Sequence, residues 1–200
     1  MGIEFNCAND YTLEDERVLM RPLTMNDYQN LLPFALHQPQ LWKYSIASVA
    51  GEIGMKQYIA DALKARNEDK EYPFITWDKK TGQYAGCSRF YDIQPANQTL
   101  QVGYTWYGEE FQRTGVNRHC KFLLLSFAFE DMNIERVEFR ADANNERSIN
   151  AMKAIGCIPE GILRSNVPLA NGGRRDSIVL SILKEEWFGG GKERLIEKMI

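Results

Sequence analysis

The stretch from residue 99 to residue 141 constrains the fold of this 200-residue chain more than any other part of it. Residues 99–107 have the composition of a β-strand, residues 116–132 form a strongly apolar helical segment, and residues 136–141 are again strand-like. A strand, a helix and a strand in this order make a crossover, in which the two strands are parallel and adjacent. The sequence therefore predicts a central βαβ unit.

The remaining segments predict the elements that surround this unit. Strands are expected at residues 17–22, 72–79, 83–93, 157–166 and 174–183, the last two joined by the turn Asn171-Gly172-Gly173. Helices are expected at residues 25–36, 48–66 and 147–155. In the second of these helices, Ile53 and Tyr58 are among the residues expected to face the core.

These elements predict an α+β fold with a single mixed, mostly antiparallel β-sheet flanked by helices. One domain is expected over residues 13–187. A flexible lead-in is expected at residues 1–12, and a helical tail, broken near the glycines 189–191, at residues 188–200.

Composition narrows the class of protein. The four cysteines are far apart in the sequence and there are only two histidines, so no metal site is predicted. A net charge of −3 argues against a nucleic-acid partner. The chain has no apolar stretch of membrane-spanning length and no signal-peptide pattern at its start, so a cytoplasmic location without membrane partners is expected.

Residues 112–118 (Gln-Arg-Thr-Gly-Val-Asn-Arg) lie between the predicted strand and the N-terminus of the long helix. Free backbone N–H groups and the positive end of the helix dipole make this place an anion site. Gly115 lets the backbone approach a phosphate, while Arg113 and Arg118 add positive charge. The loop therefore predicts a diphosphate site, although neither a Walker lysine nor the three-glycine dinucleotide spacing is present.

On this loop the chain resembles the GCN5-related N-acetyltransferase (GNAT) superfamily, and within it the RimJ/RimL-like ribosomal-protein N-terminal acetyltransferases. The superfamily loop reads Gln/Arg-x-x-Gly-x-Gly/Ala, which Gln112 and Gly115 match, whereas Asn117 departs from the last position. Further matching segments follow in order at residues 102–106, 127–130, 136–138, 145–148, 160–164 and 186–187. The resemblance spans about residues 13–187.

The resemblance implies the acyl-CoA N-acyltransferase fold and the transfer of an acetyl group from acetyl-CoA to a primary amine by direct attack on the thioester. The amine would belong to a protein N-terminus, a polyamine or another small molecule. The residues implied in cofactor binding are Tyr104, Thr105, Gln112, Arg113, Thr114, Gly115, Val116, Asn117, Arg118 and Asn145. Ser148 is implied as the hydroxyl that assists the leaving CoA thiolate. Asn145 and Ser148 can also cap the helix that begins near them.

A catalytic base is harder to select. The attacking ammonium must lose a proton, and Glu160 is the candidate residue, with a water chain from backbone carbonyls as the alternative. His119 is interpreted as a structural residue or a peripheral contact. The aromatic segment at residues 41–44 is either a pocket wall or a cap on the core.

Two other functions remain open at this point. One is a non-catalytic acyl-CoA sensor or assembly module with the same fold, and the other is a different nucleotide-dependent enzyme that uses the same anion loop. Closing strands in this architecture often pair across subunits, so a homodimer is a further expectation.

Overall fold

The computed structural model describes residues 3–46, 49–169 and 173–199. The eight strands are β1 (Leu13–Glu14), β2 (Val18–Pro22), β3 (Glu71–Asp78), β4 (Gln83–Gln94), β5 (Thr99–Tyr107), β6 (Arg136–Asp142), β7 (Ile158–Pro168) and β8 (Arg174–Leu183). The α-helices are α1 (Tyr28–His37), α2 (Gly51–Asn67), α3 (Val116–Ser126), α4 (Glu146–Ala154), α5 (Lys184–Glu186) and α6 (Lys192–Glu197). A π-helical turn, Phe127–Asp131, extends α3. The predicted turn residues Asn171 and Gly172 lie outside the described residues.

All eight strands belong to one sheet, in the order β1-β2-β3-β4-β5-β6-β8-β7. The pair β5 and β6 is parallel, and the other pairs are antiparallel. The predicted mixed sheet and its central βαβ unit are therefore confirmed. The short strand β1 was not predicted, because two residues are too few to show an alternating pattern.

The two faces of the sheet have different neighbours. Side chains alternate along each strand, so Ser88 and Phe139 lie on the face that α3 covers, which we call the α3 face. Arg89 lies on the other face, where its guanidinium stacks on Tyr58 of α2. This second face, the α2 face, also carries Glu138, Arg140 and Arg136 from β6.

Two segments differ from the expectations. The lead-in, predicted to be flexible, packs on the core: the Phe5 ring stacks on Tyr11 at 5.3 Å and Cys7 is buried. Ile53, expected to face the core, is 85% exposed in the first turn of α2, while Met55 is fully buried. The core-facing stripe of α2 thus runs through Met55 and Tyr58.

In the tail, α6 follows a break at Gly190, where φ is 99°. Within the described residues, no helix combines the length and the apolar character needed to cross a bilayer.

Candidate active site

A gap opens between the two parallel strands at the centre of the sheet. β5 and β6 are paired only from Thr99↔Arg136 to Gln101↔Glu138, although β5 continues to Tyr107 and β6 to Asp142. Beyond this pairing the strands diverge. We call the resulting opening the cleft.

A β-bulge in β5 lies at the start of the cleft. Cys87 of β4 is opposite Trp106, but Arg89 is opposite Gly103, so β5 has one extra residue between these pairs. Tyr104 in the bulge has φ 50°, a left-handed conformation that is uncommon for residues other than glycine. A bulge bends the strand and leaves one residue out of the ladder, so backbone polar groups near Tyr104 are free to face a ligand.

The loop that follows β5 presents unpaired backbone amides at the mouth of the cleft. Arg113 and Gly115 have φ values of 63° and 96°, and α3 begins at Val116. In the described part of the chain, no acceptor is recorded for the N–H groups of residues 113–117. These amides, at the positive end of α3, form the geometry that binds phosphate groups.

Side chains hold this loop in place. The Gln112 Nε2 group donates to the Tyr107 carbonyl at 3.0 Å, and its Oε1 accepts from Arg147 of α4 at 2.7 Å. Arg17 donates to the Thr114 carbonyl at 3.1 Å. The Gln112 side chain therefore ties the end of β5 to the first turn of α4, on the two sides of the cleft.

The two predicted loop arginines are in different surroundings. Arg113 is exposed, with no protein partner recorded among the described residues, so its charge is available to an anion. Arg118 donates to the Lys198 carbonyl at 2.7 Å and thereby fixes the tail to α3. The side chain of Val116 is fully buried, which leaves its backbone N–H as the group that can contact a ligand.

The first turn of α4 borders the cleft on the side of β6. Asn145 Oδ1 accepts from the Ser148 N–H at 3.2 Å, so Asn145 caps the helix. Ser148 contributes its backbone to this cap, and its half-buried hydroxyl has no recorded partner among the described residues. The Ser148 hydroxyl is thus free to interact with a ligand.

The predicted cofactor residues Tyr104 and Thr105 face opposite sides of the sheet. Thr105 Oγ1 lies 2.7 Å from Ser88 Oγ on the α3 face. The Tyr104 ring lies on the α2 face, 4.4 Å from the Arg89 guanidinium and 5.4 Å from the Tyr91 ring.

A buried lysine that was not predicted from the sequence lies beside the cleft. The Lys121 Nζ group of α3 donates to Thr105 Oγ1 of β5 at 2.7 Å and lies 5.5 Å from the Phe139 ring of β6. Only 5% of Lys121 is exposed, and burial lowers its pKa from 10.5 to about 8. Residues three and four apart share a face of a helix, and Leu124 and Leu125, three and four residues after Lys121, are buried. This spacing is the sequence signal that could have identified Lys121.

We expect Lys121→Met to stabilise the protein at pH 7. The lowered pKa means that charged Lys121 destabilises the fold below about pH 8, and that this cost disappears as the pH rises from about 8 to 10.5. The difference between the pKa of Lys121 in the unfolded state and in the folded state corresponds to about 3 kcal/mol of unfolding free energy. Urea unfolding at pH 7 and at pH 10 measures it, with the exposed Lys153→Met as the control. A variant less stable than wild type at pH 7, or a gain that does not shrink by pH 10, would contradict this prediction.

Glu160, the predicted base, is engaged in an ion pair. Its carboxylate accepts hydrogen bonds from Arg136 and from Ser181 Oγ. These bonds, that of Arg136 first, lower the pKa of Glu160. Arg136 lies opposite Thr99, at the end where β5 and β6 are paired, so Glu160 is located away from the cleft. Three further acids, which the sequence also places near the expected cleft, accept hydrogen bonds from glutamine side chains: Glu109 from Gln40, Glu110 from Gln38 and Asp92 from Gln101.

One group of possible metal ligands exists among the described residues. The ligand atoms of Asp15, Glu16 and His119 lie within 4.8 Å of one another. However, Asp15 Oδ2 already bonds His119 Nδ1 at 2.8 Å, and its Oδ1 accepts the N–H groups of Arg17 and Val18. The group therefore anchors the start of β2 to α3, which fits the structural interpretation of His119.

The aromatic residues of the loop and of β4 and β5 mostly belong to the core. Trp42 packs on Trp106 at 4.8 Å, so it acts as a cap on the core. Phe90 is fully buried, whereas Tyr91 is only half-buried and borders the α2 face beside Tyr104.

Comparisons with known proteins point to one family. Residues 17–158 match the family model described as an acetyltransferase (GNAT) domain. The chain is 31% identical over 108 residues to the putative ribosomal N-acetyltransferase YdaF of Bacillus subtilis (strain 168), a match covering 54% of this chain and 58% of that protein. The chain thus aligns with little more than half the length of this relative.

Solved structures share the fold. A putative acetyltransferase from T. thermophilus superimposes with a TM-score of 0.86 at 29% identity, over 100% of both chains. Mycobacterium smegmatis RimJ, in complex with CoA-disulfide, superimposes with a TM-score of 0.78 at 18% identity, over 94% of this chain and 93% of the other. The family match confirms the predicted superfamily and the acetyltransferase class. With its splayed parallel strands, its unpaired loop amides and a family match across most of its length, the chain belongs to the GNAT acetyltransferase family.

Proposed function

We propose that this protein transfers an acetyl group from acetyl-CoA to a primary amine, with a protein or peptide N-terminus as the leading acceptor class. The observation that carries the proposal is the cleft between β5 and β6, with the unpaired amides of residues 113–117 on one side and the free Ser148 hydroxyl on the other. YdaF is described as a putative ribosomal N-acetyltransferase, which supports the acceptor class, and the RimJ structure holds CoA-disulfide, which supports the use of a CoA thioester.

The residues at the mouth of the cleft fit a CoA diphosphate. Backbone N–H groups supply hydrogen bonds, and the exposed Arg113 supplies a full positive charge. Asn117, which replaces the usual glycine or alanine, contributes its backbone N–H, so the departure leaves the donor set intact. The diphosphate would lie against residues 113–117.

The residues within the cleft fit aminolysis of a thioester. Acetyl-CoA supplies the acetyl group, and transfer forms a carbon–nitrogen bond, breaks the carbon–sulfur bond and releases CoA as a thiol. Backbone groups freed by the bulge at Tyr104 are available to hydrogen-bond the carbonyl oxygen as it gains negative charge. The attacking ammonium loses two protons to water, which is the alternative to Glu160. One of them is released to solvent, and the other replaces the proton that the Ser148 hydroxyl passes to the departing sulfur.

We expect Glu160→Gln to keep turnover within about twofold of wild type, because its carboxylate pairs with Arg136 and has a lowered pKa, whereas an efficient base has a pKa near the working pH. Glu160 is 41% exposed, so stability should change by less than about 1 kcal/mol. Initial rates between pH 6 and pH 9 check this. A tenfold loss of turnover, with the folded structure retained, would restore Glu160 as the base.

The proposed function is tested by incubating the protein with acetyl-CoA and a panel of peptides with free N-termini, polyamines and other small amines. We expect CoA thiol release that depends on both protein and amine, with an equal amount of acetylated amine detected by mass spectrometry. Saturable binding of acetyl-CoA without acetylation of any amine would instead support the non-catalytic sensor.

A further inference from the structure

The α2 face of the sheet carries a buried cation without a carboxylate partner. Arg175 of β8 is 9% exposed, and its Nε donates to Ser177 Oγ at 3.0 Å. Among the residues that the structure describes, no carboxylate oxygen lies within 4.0 Å of its guanidinium nitrogens. Burying a guanidinium is costly unless an anion or several acceptors satisfy it. Arg175 therefore has hydrogen-bonding capacity that the described protein does not use.

The neighbouring arginines of this face differ from Arg175 in this respect. Each has a carboxylate partner: Arg89 with Glu71 at 2.8 Å, Arg140 with Glu138 at 2.6 Å, and Arg136 with Glu138 at 2.9 Å. Asp142, opposite Ser177 in the ladder, accepts the backbone and side-chain amides of Asn144 through its Oδ1. Within this set, the charge of Arg175 is the one that no ion pair offsets.

Arg175 is close to the bulge at which the cleft begins. Side chains two residues apart share a face of a strand, so Arg175 lies on the same face of β8 as Ser177, which is opposite Asp142 at the end of β6 that borders the cleft. Burial raises the pKa of Tyr91 and of Tyr104, and the charge of Arg175 acts in the opposite direction on both. The two tyrosine rings contact each other at 5.4 Å, on the α2 face beside Arg89. A ligand bound to Arg175 would therefore lie beside Tyr104, at the edge of the cleft.

We propose that Arg175 binds a carboxylate of the acceptor, so that the substrate is an amine with a carboxylate on the same molecule. Because Ser177 occupies Nε, the two Nη groups remain, and a guanidinium edge of this kind matches the two oxygens of a carboxylate. The carboxylate belongs either to an acidic side chain next to a peptide N-terminus or to a free amino acid. This inference rests on the proposed function for the identity of the acceptor.

The test compares acceptors that differ only in one charge. Calorimetric titrations in the presence of CoA measure the affinity of the dipeptide amides Ala-Asp-amide and Ala-Asn-amide, and of alanine and alaninamide. We expect wild type to bind the carboxylate member of at least one pair tenfold or more tightly, and the pair concerned identifies the source of the carboxylate. Arg175→Gln should remove this preference. Arg175→Lys should weaken the preference, because lysine keeps the positive charge but lacks the two parallel N–H donors of a guanidinium.

Arg164→Gln is the matched control, because it removes an arginine charge from the exposed strand β7. It should keep the preference, and circular dichroism should show all three variants folded. Equal affinities within both pairs, a preference that survives Arg175→Gln, or no binding of any of the four compounds would overturn the inference. Acetylation of these amines without a carboxylate preference would support the proposed function and overturn the inference about Arg175. A carboxylate preference without acetylation would support the anion site at Arg175 but not the proposed function.

Discussion

Replacement of Gly115 by tryptophan is expected to weaken acetyl-CoA binding at least about 100-fold, since loss of two charge-assisted hydrogen bonds at about 1.5 kcal/mol or more each has this effect. Gly115 has φ 96°, which other residues rarely adopt. A Cβ atom at this position would lie 3.8 Å from His119 Cδ2, so the protein itself has room for it. The bulky ring would instead cover the amides of residues 113–117.

Equilibrium dialysis with labelled acetyl-CoA measures this effect. Gly189→Trp is the control, because Gly189 has ordinary backbone angles and open space around it. It should bind acetyl-CoA as wild type does. A folded Gly115→Trp protein with wild-type affinity would show that the loop is not the diphosphate site.

Replacement of Ser148 by alanine is expected to lower turnover at least about tenfold, because it removes the hydroxyl that donates a proton to the departing sulfur. Acetyl-CoA affinity should stay nearly unchanged. The substitution keeps the Ser148 N–H, which bonds Asn145 Oδ1, so the cap of α4 and the melting temperature should be preserved. The expected loss therefore reports on the hydroxyl alone.

Steady-state rates and dialysis separate the two quantities, and Ser148→Thr tests whether another hydroxyl restores turnover. If the alanine variant turned over at the wild-type rate, Ser148 would have no part in the reaction and its role would be limited to the helix cap.

The central part of the fold could be predicted because its signals are local. The change from strand-like to helical periodicity at the Gly115 loop marks the βαβ unit, and the structure has β5, α3 and β6 there. The bulge at Tyr104 could not be predicted in the same way. It depends on how many residues of β5 lie opposite Arg89 and Cys87, and pairing register is a property of two strands together.

The burial of two charged residues near the cleft could not be predicted for a related reason. Lys121 and Arg175 occupy buried positions of their elements, but charged side chains are usually assigned to the surface. The reverse error affects Ile53, an apolar residue with helical spacing that is nevertheless exposed. Burial of a single residue depends on which face the neighbouring elements cover, and this is decided by the tertiary structure.

The location of Glu160 could not be inferred from its motif. The motif follows the Ser148 helix in the sequence. In the sheet, β8 lies between β7 and β6, and Glu160 pairs with Arg136 at the closed end of the parallel strands. The position of a motif along the chain does not fix its position relative to the cleft.

Calorimetric titration of the wild-type protein with acetyl-CoA shows whether the cleft and the amides of residues 113–117 form an acyl-CoA site. We expect saturable binding at one site per chain with micromolar affinity. Absence of binding heat at several temperatures, with the folded state verified, would contradict it.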